Sequence, residues 1–436
     1  MLVQFRVSNF LSFKDEVTFS MVSANIKEHF DSNVFQARKD LRLLKSAVIY
    51  GANASGKSNL FNAMKFMRSF TLNSSKNMQS GEKISVEKFK FSTETENNPS
   101  LFEMIFVKDN IRYRYGFEVN QVAVMSEWLY RVVASKKTEE LLFYREEDRF
   151  EIGKFYKEGI GLEQKTRKNA LFLSVVAQFN GHISEEVLDW FSGLYIISGL
   201  SQRHEMLSDL ILENEKIKST ILKYMQEADF SIEDITIERN SINFDDVPPN
   251  MRGLVESLRE LAGDSEIPSS VTKIKMFHKK YDQDKKVISL EPLDMQKWES
   301  KGTRKFFSLL SPVLFALGTG KTFIVDELDS SLHPLLTKYI VRLFHSKVHN
   351  EYNSQLIFNT HDTNLLSRKL FRRDQIWFTE KDRYGASEIY SLIEYRVRND
   401  ASYEKDYLEG RYGSIPFIGN LDFDCGLEER ETVGNG

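Results

Sequence analysis

Gly51-Ala52-Asn53-Ala54-Ser55-Gly56-Lys57-Ser58 decides the fold. The octapeptide fits G-x-x-x-x-G-K-[ST] at every fixed position, the pattern of a phosphate-binding loop. Ahead of it, Ala47-Val48-Ile49-Tyr50 is a short apolar run of the kind that forms a strand buried on both faces. Behind it, Leu60, Met64, Met67 and Phe70 recur at helical spacing. Strand, glycine loop and helix, in that order, are the context the motif requires. Glycines let the backbone wrap a phosphate, successive N–H groups and the helix N-terminus supply positive potential, and Lys57 adds a full charge to the β and γ phosphates. Ser58 is placed to ligate Mg²⁺ through its hydroxyl.

The partner of such a loop is a carboxylate at the end of a neighbouring buried strand. Phe323-Ile324-Val325-Asp326-Glu327 supplies two in tandem. Asp326 is expected to hold Mg²⁺ through water, and Glu327, pointing elsewhere, to polarise the attacking water as general base. A third buried run, Gln355 to Asn359, leads into Thr360 and His361. An imidazole there is placed to hydrogen-bond the γ-phosphate and to sense whether it is present.

Working outward, the 436 residues allow two or three lobes, or one large α/β domain with insertions. Lys plus Arg total 59 against 63 Asp plus Glu, a formal charge of −4 that excludes nucleic-acid binding by bulk charge alone. Any basic surface must be local, with Arg38-Lys39, Arg167-Lys168 and Lys273 to Lys286 as candidates. A hydrophobic content of 41% is enough for a sizeable core. The single cysteine, Cys425, excludes an internal disulfide framework and a cysteine-based zinc site. The start of the chain alternates polar and apolar residues, and the longest apolar stretch, Phe306 to Leu317, falls short of the ~20 residues of a bilayer span. The expectation is a cytoplasmic protein without membrane contact.

Periodicity gives the fold class: an α/β P-loop NTPase with an antiparallel β lobe and helical insertions. Residues 1–85 read as the N-terminal half of the ATPase core. Residues 86–165 read as the antiparallel lobe, where alternating runs flank a hairpin turn at Lys108-Asp109-Asn110. Residues 166–290 read as a helical and mixed insertion, with Leu207, Leu210, Ile217, Ile221 and Met225 as one apolar stripe. Residues 291–400 read as the C-terminal half of the core and 401–436 as a tail. Asp422 and Asp424 read as tail carboxylates, because too little chain follows for a nuclease domain.

Together the motifs resemble the ABC-type ATPase heads of the SMC and RecF class. Asn53 and Asn59 both fit the loop form G-x-N-x-x-G-K-S-N found there. The resemblance implies that Gly51 to Asn59 bind ATP, that Asp329 belongs to the D-loop, and that His361 is the switch histidine. It also sets Glu299-Ser300-Lys301-Gly302-Thr303 at the signature, where Ser300 and Gly302 match the usual L-S-G-G-Q and Lys301 and Thr303 depart from it. Ser300, Lys301, Gly302 and Thr303 would then meet ATP bound to a second copy, with Lys301 adding charge to that contact. Gln178 is the candidate for the Q-loop residue that joins Mg²⁺.

More closely, these segments with Arg372 to Phe378 and Tyr407 to Pro416 resemble the stand-alone ATPases of abortive-infection and phage-defence operons, the RloA-like, AbiL-like and PARIS-type group. That resemblance implies a homodimer or higher homo-oligomer that controls a separately encoded effector, a nuclease or an RloB-like protein. A DNA-binding, RecF-like repair clamp and an ATP-holding scaffold with little turnover are the two other readings.

Overall fold

The computed structural model describes residues 1–136, 138–199, 214–228, 230–241, 270–398 and 402–416. Ten strands precede the first half of the insertion: β1 (Leu2–Ser8), β2 (Val17–Ser20), β3 (Val34–Arg38), β4 (Leu41–Leu44), β5 (Ser46–Tyr50), β6 (Ser100–Lys108), β7 (Ile111–Val119), β8 (Val124–Val132), β9 (Glu140–Glu146) and β10 (Arg149–Ile152). Eight follow: β11 (Leu194–Ser198), β12 (Asp234–Ser241), β13 (Ser270–Tyr281), β14 (Val287–Asp294), β15 (Thr322–Asp326), β16 (Gln355–Asn359), β17 (Ile376–Lys381) and β18 (Ser387–Ser391).

The nucleotide motifs hang on a six-stranded sheet of order β11-β15-β16-β5-β17-β18. The first five strands are parallel, and β18 runs antiparallel to β17. The central strands β5, β15 and β16 have buried apolar middles because both faces are covered. Ile49, Ile324, Ile357 and Trp377 point into one buried cluster, while Val48, Phe323, Leu356 and Phe378 point into the other. Helix Lys57–Asn73 lies on the first side, and helices Lys301–Thr319 and Pro334–His345 lie on the second. The fold is therefore mixed α/β, as the periodicity requires.

A second, antiparallel sheet has the order β10-β9-β8-β7-β6-β1-β2. Its β6–β7 turn sets Asp109 and Asn110 at positive φ (47° and 63°), the backbone a tight hairpin needs. Two boundaries differ from the sequence reading. β1 and β2, expected in the ATPase half, extend this lobe because Phe5 and Val7 pair with Met104 and Phe102. β11, expected in an insertion, completes the parallel sheet beside β15. The segment Tyr403–Leu408 also differs from a tail: Tyr403, Tyr407 and Tyr412 are buried in the second core.

Of the helical stripe, Ile221 and Met225 are fully buried on helix Glu215–Glu227, which packs on its own domain; Leu207 and Leu210 lie outside the described residues. Asp422, Asp424 and Cys425 lie outside them too. Among the described residues no helix is long and apolar enough to cross a membrane.

Candidate functional site

In the six-stranded sheet β16 separates the loop strand β5 from β15. All three end on the same edge, so Gly51, Asp326 and Asn359 converge although the sequence holds them far apart. This is the carboxyl edge at which open α/β sheets take ligands. An open cleft of about 530 Å³ lies there, lined by Asn53 to Asn59, Glu327, His361 and Lys381.

Two glycines in the loop are sterically required. Gly56 has φ 116°, and a Cβ there would stand 2.6 Å from Ser387 Oγ; one at Gly51 (φ 155°) would stand 2.5 Å from the Thr379 carbonyl oxygen. The loop is held from outside by Thr379 of β17, whose hydroxyl is 2.7 Å from that of Ser55. Asn53 and Ala54 are exposed at the tip. Lys57 donates to the carbonyls of Gly51 and Ala52, both at 2.8 Å. Burial pushes its ammonium down to about 8, against the pull of Asp326, Glu327 and Asp329. A lysine so placed is a charge held close to the position a phosphate would take.

Ser58 Oγ donates to Asp326 Oδ1 at 3.0 Å across 268 positions of sequence. The hydroxyl and the carboxylate therefore meet where a Mg²⁺ ion on a bound nucleotide would sit, and the oxygen-only donor pair suits that hard cation. Asn359, at the end of β16, completes the arrangement. Its amide donates to Asp326 Oδ1 at 2.5 Å, and its side-chain oxygen accepts from the Glu327 N–H. Glu327 itself is a non-glycine residue at φ 58°. The turn that follows carries Asp329, which accepts from the His361 N–H at 3.3 Å and keeps its other carboxylate oxygen buried without a partner. Partial burial, and then Lys57, hold His361 below its ordinary value.

The signature-like segment starts helix Lys301–Thr319. Ser300 is its N-cap, accepting from the Thr303 N–H at 3.1 Å, with the two hydroxyls 2.8 Å apart. Lys301 is exposed at the helix N-terminus, and a Cβ on Gly302 would lie 3.2 Å from the Ser331 carbonyl oxygen, so the segment abuts the turn that follows β15 in its own chain. Further along that helix, Lys305 donates to the Gly199 carbonyl; burial pushes it down to about 8, opposed by Glu327 and Asp329.

One expectation is corrected. Gln178 is exposed at the end of helix Phe172–Gln178, whose Ser174 donates to the Thr71 carbonyl at the far end of the phosphate-loop helix. From Ser58 to Ser74 that helix rises about 24 Å, so Gln178 is no Mg²⁺ ligand. Asn59 lines the cleft, as expected of the loop, and its amide also donates to Ser12 Oγ at 2.7 Å, tying the loop to the antiparallel lobe.

Three site residues escaped the sequence reading. Asn359 stood in a quoted stretch, with an amide ending an apolar strand as its only signal; Lys305 and Lys381 carry none. Several members of the candidate basic clusters are paired within the chain. Arg38 is buried on the carbonyls of Asn110 and Val132, Lys168 meets Asp148, and Lys275, Lys279 and Lys280 meet Glu238, Glu233 and Glu291.

Among solved structures, the chain is similar to the SMC head domain from Thermotoga maritima (12% identity, 91% of this chain and 99% of that one, TM-score 0.41). It is also similar to the Smc head domain from Pyrococcus furiosus, solved with an extended coiled coil bound to the C-terminal domain of ScpA (13%, 94% and 98%, 0.31). A third is the recombination mediator RecF (14%, 89% and 98%, 0.30). No curated protein matches. The family model described as "AAA domain, putative AbiEii toxin, Type IV TA system" matches residues 46–367, most of the chain, and the chain belongs to that family.

Proposed function

We propose that the protein is a Mg²⁺-dependent ATP hydrolase. The observation that carries this is the convergence of Lys57, Ser58, Asp326 and Glu327 on one cleft from two distant halves of the chain. Lys57 and the loop N–H groups would hold the phosphates, and Ser58 and Asp326 the cation. When bound, Mg²⁺ supplies charge neutralisation on the β and γ oxygens. Glu327, turned out of line with Asp326 by its left-handed backbone, accepts the proton of the attacking water, and His361 contacts the γ-phosphate.

The same reading extends to a switch. The N-terminus of helix Lys301–Thr319 is a second phosphate-facing end that its own loop does not need. Two copies would close on two ATP molecules as an isologous dimer and part after hydrolysis. A separately encoded effector, a nuclease or an RloB-like protein in an anti-phage setting, would read the closed state; the toxin–antitoxin description of the family supports this context.

The test is Glu327→Gln. It should bind ATP, lose turnover by at least about a hundredfold, and accumulate as an ATP-dependent dimer by light scattering. A Glu327→Gln protein that hydrolyses ATP at the parental rate removes the hydrolase reading; one that stays monomeric with ATP bound removes the switch.

A further inference from the structure

Tyr407 to Pro416 lines no part of the phosphate cleft, yet the segment is tied to the residues that do. It leaves the short helix Tyr403–Leu408, whose N-cap Ser402 accepts from the Lys405 N–H. A helix of that length does not hold itself in water. Tyr403 and Tyr407, 2% and 6% exposed, anchor it in the core of the ATPase sheet.

The first tie is to the phosphate loop. Gly51 is buried, and a buried N–H needs a partner. It finds one in the Tyr407 hydroxyl oxygen. The same hydroxyl donates to the Ser414 carbonyl at 3.1 Å, so it is engaged as acceptor and as donor. Its ring is set by stacking on Phe378 of β17, with centroids 5.5 Å apart and planes at 19°, and by contact with Tyr50 of β5 at 5.7 Å. A second tie reaches the turn after β16. Glu404 accepts from the Thr363 hydroxyl at 3.2 Å, just beyond His361, and Tyr50 donates to the Asp362 carbonyl at 3.1 Å. At the end of β17, the Tyr390 hydroxyl lies 2.8 Å from the Tyr412 carbonyl and 3.0 Å from Glu380, the neighbour of the cleft-lining Lys381.

We propose that Tyr407 and Glu404 are positioning residues of the nucleotide site, Tyr407 fixing the root of the phosphate loop at Gly51 and Glu404 fixing the turn that carries His361. Neither lines the cleft, so each acts through the residue it holds. Their effects fall on different constants. A loop that is less well held meets the phosphates less well in the ground state and the transition state alike, which raises KM and spares kcat. The His361 turn faces the γ-phosphate, where charge changes only during hydrolysis, so its displacement lowers kcat. This rests on the nucleotide reading above and adds to it how a segment distant in sequence holds the loop and the histidine in place.

The test is steady-state ATP hydrolysis by the full chain, well below its melting temperature. A neutral hydrogen bond contributes about two- to tenfold to an equilibrium constant. Tyr407→Phe keeps the stacked ring and removes the hydroxyl; it should raise KM for Mg·ATP by about that factor and hold kcat within about twofold. Glu404→Ala should lower kcat by a like factor at parental KM, and Glu404→Gln, which still accepts from Thr363, should restore it. Tyr395→Phe removes a hydroxyl from the same aromatic cluster, 3.3 Å from the Tyr412 carbonyl, and should change neither constant. Parental KM in Tyr407→Phe would overturn the tie to the loop, and parental kcat in Glu404→Ala the tie to the histidine turn. A KM raised as much by Tyr395→Phe as by Tyr407→Phe would reduce the segment to core packing and overturn the proposal. A parent that hydrolyses no ATP removes the nucleotide reading and this one with it; an active parent matched by Tyr407→Phe and Glu404→Ala removes this one alone.

Discussion

Replacing Asn359 by alanine removes two hydrogen bonds that hold the acidic turn. One is donated to the Asp326 carboxylate at 2.5 Å, and the other is accepted from the Glu327 N–H. A bond to a charged group contributes about 1.5–3 kcal/mol and a neutral one about 0.5–1.5 kcal/mol. The partners are part-buried, so the lower halves of those ranges apply, and a loss of about 2–3 kcal/mol is expected. Glu327 also sits at φ 58°, a conformation that costs a non-glycine residue about 1–2 kcal/mol and that the Asn359 contact helps to hold. Without it the Glu327 backbone can relax, and a displacement of about 1 Å at a catalytic group costs on the order of a hundredfold in rate. Asn359→Ala should therefore lower the urea midpoint in the nucleotide-free protein and reduce ATP turnover by ten- to a hundredfold, as read in a phosphate-release assay. Asn359→Asp sets a carboxylate against Asp326, so it should be less stable still and should recover as the pH falls and one acid takes a proton. An Asn359→Ala protein with the parental midpoint and the parental turnover would refute the role of the clamp.

Four further expectations follow from the same geometry. Lys57 titrates near 8 in the free protein and must carry its proton to meet phosphate, so the apparent dissociation constant for ATP should rise about tenfold between pH 7 and pH 9; a flat calorimetric profile would contradict it. In the same window the free protein should gain stability, because above pH 8 the folded chain binds fewer protons at Lys57 than the unfolded chain. Gly56→Ala places a Cβ at positive φ against Ser387, and should lower the melting temperature and abolish binding of a fluorescent ATP analogue; an unchanged melting temperature would refute the packing. Gln178→Ala should hydrolyse ATP within about twofold of the parent; a tenfold loss would return this residue to the site, against the helix rise that separates them.

What was legible in the sequence was local. A phosphate loop must be built from consecutive residues, and the acidic pair must follow its own strand, so Gly51 to Ser58, Asp326 and Glu327 stood out from spacing alone. Asn359 was visible only as a polar end to an apolar run. Its role depends on β16 lying between β5 and β15, which is a matter of strand order. Gln178 was misplaced because a buried network fixes its helix. The Glu127 carboxylate accepts from the N–H groups of Phe172 and Leu173, and Ser174 is bonded to Thr71 and Ser74. None of those pairings has a signature along the chain. The assignment of β1 and β2 failed for a similar reason, since alternation marks a half-buried strand without naming its neighbour.

The turn Asp326 to Ser331 explains why the signature helix and the acidic pair cannot move independently. It carries two non-glycine residues at positive φ, Glu327 and Ser331 (58° and 61°), and such backbone persists only where its surroundings over-determine it. Asn359 fixes the first end, and the Ser330 N–H donates to the Glu327 carbonyl at 3.2 Å within the turn. At the second end Ser331 meets Gly302, where a Cβ would already be 3.2 Å from its carbonyl oxygen. Behind the turn, Lys305 of the same helix reaches the Gly199 carbonyl with its charge directed toward Glu327 and Asp329. A shift of the first two turns of helix Lys301–Thr319 therefore changes both the packing on Ser331 and the field at Glu327. Glu327 and the N-terminus of helix Lys301–Thr319 are thus mechanically and electrostatically one unit, which the proposed ATP-gated dimer would require of its parts.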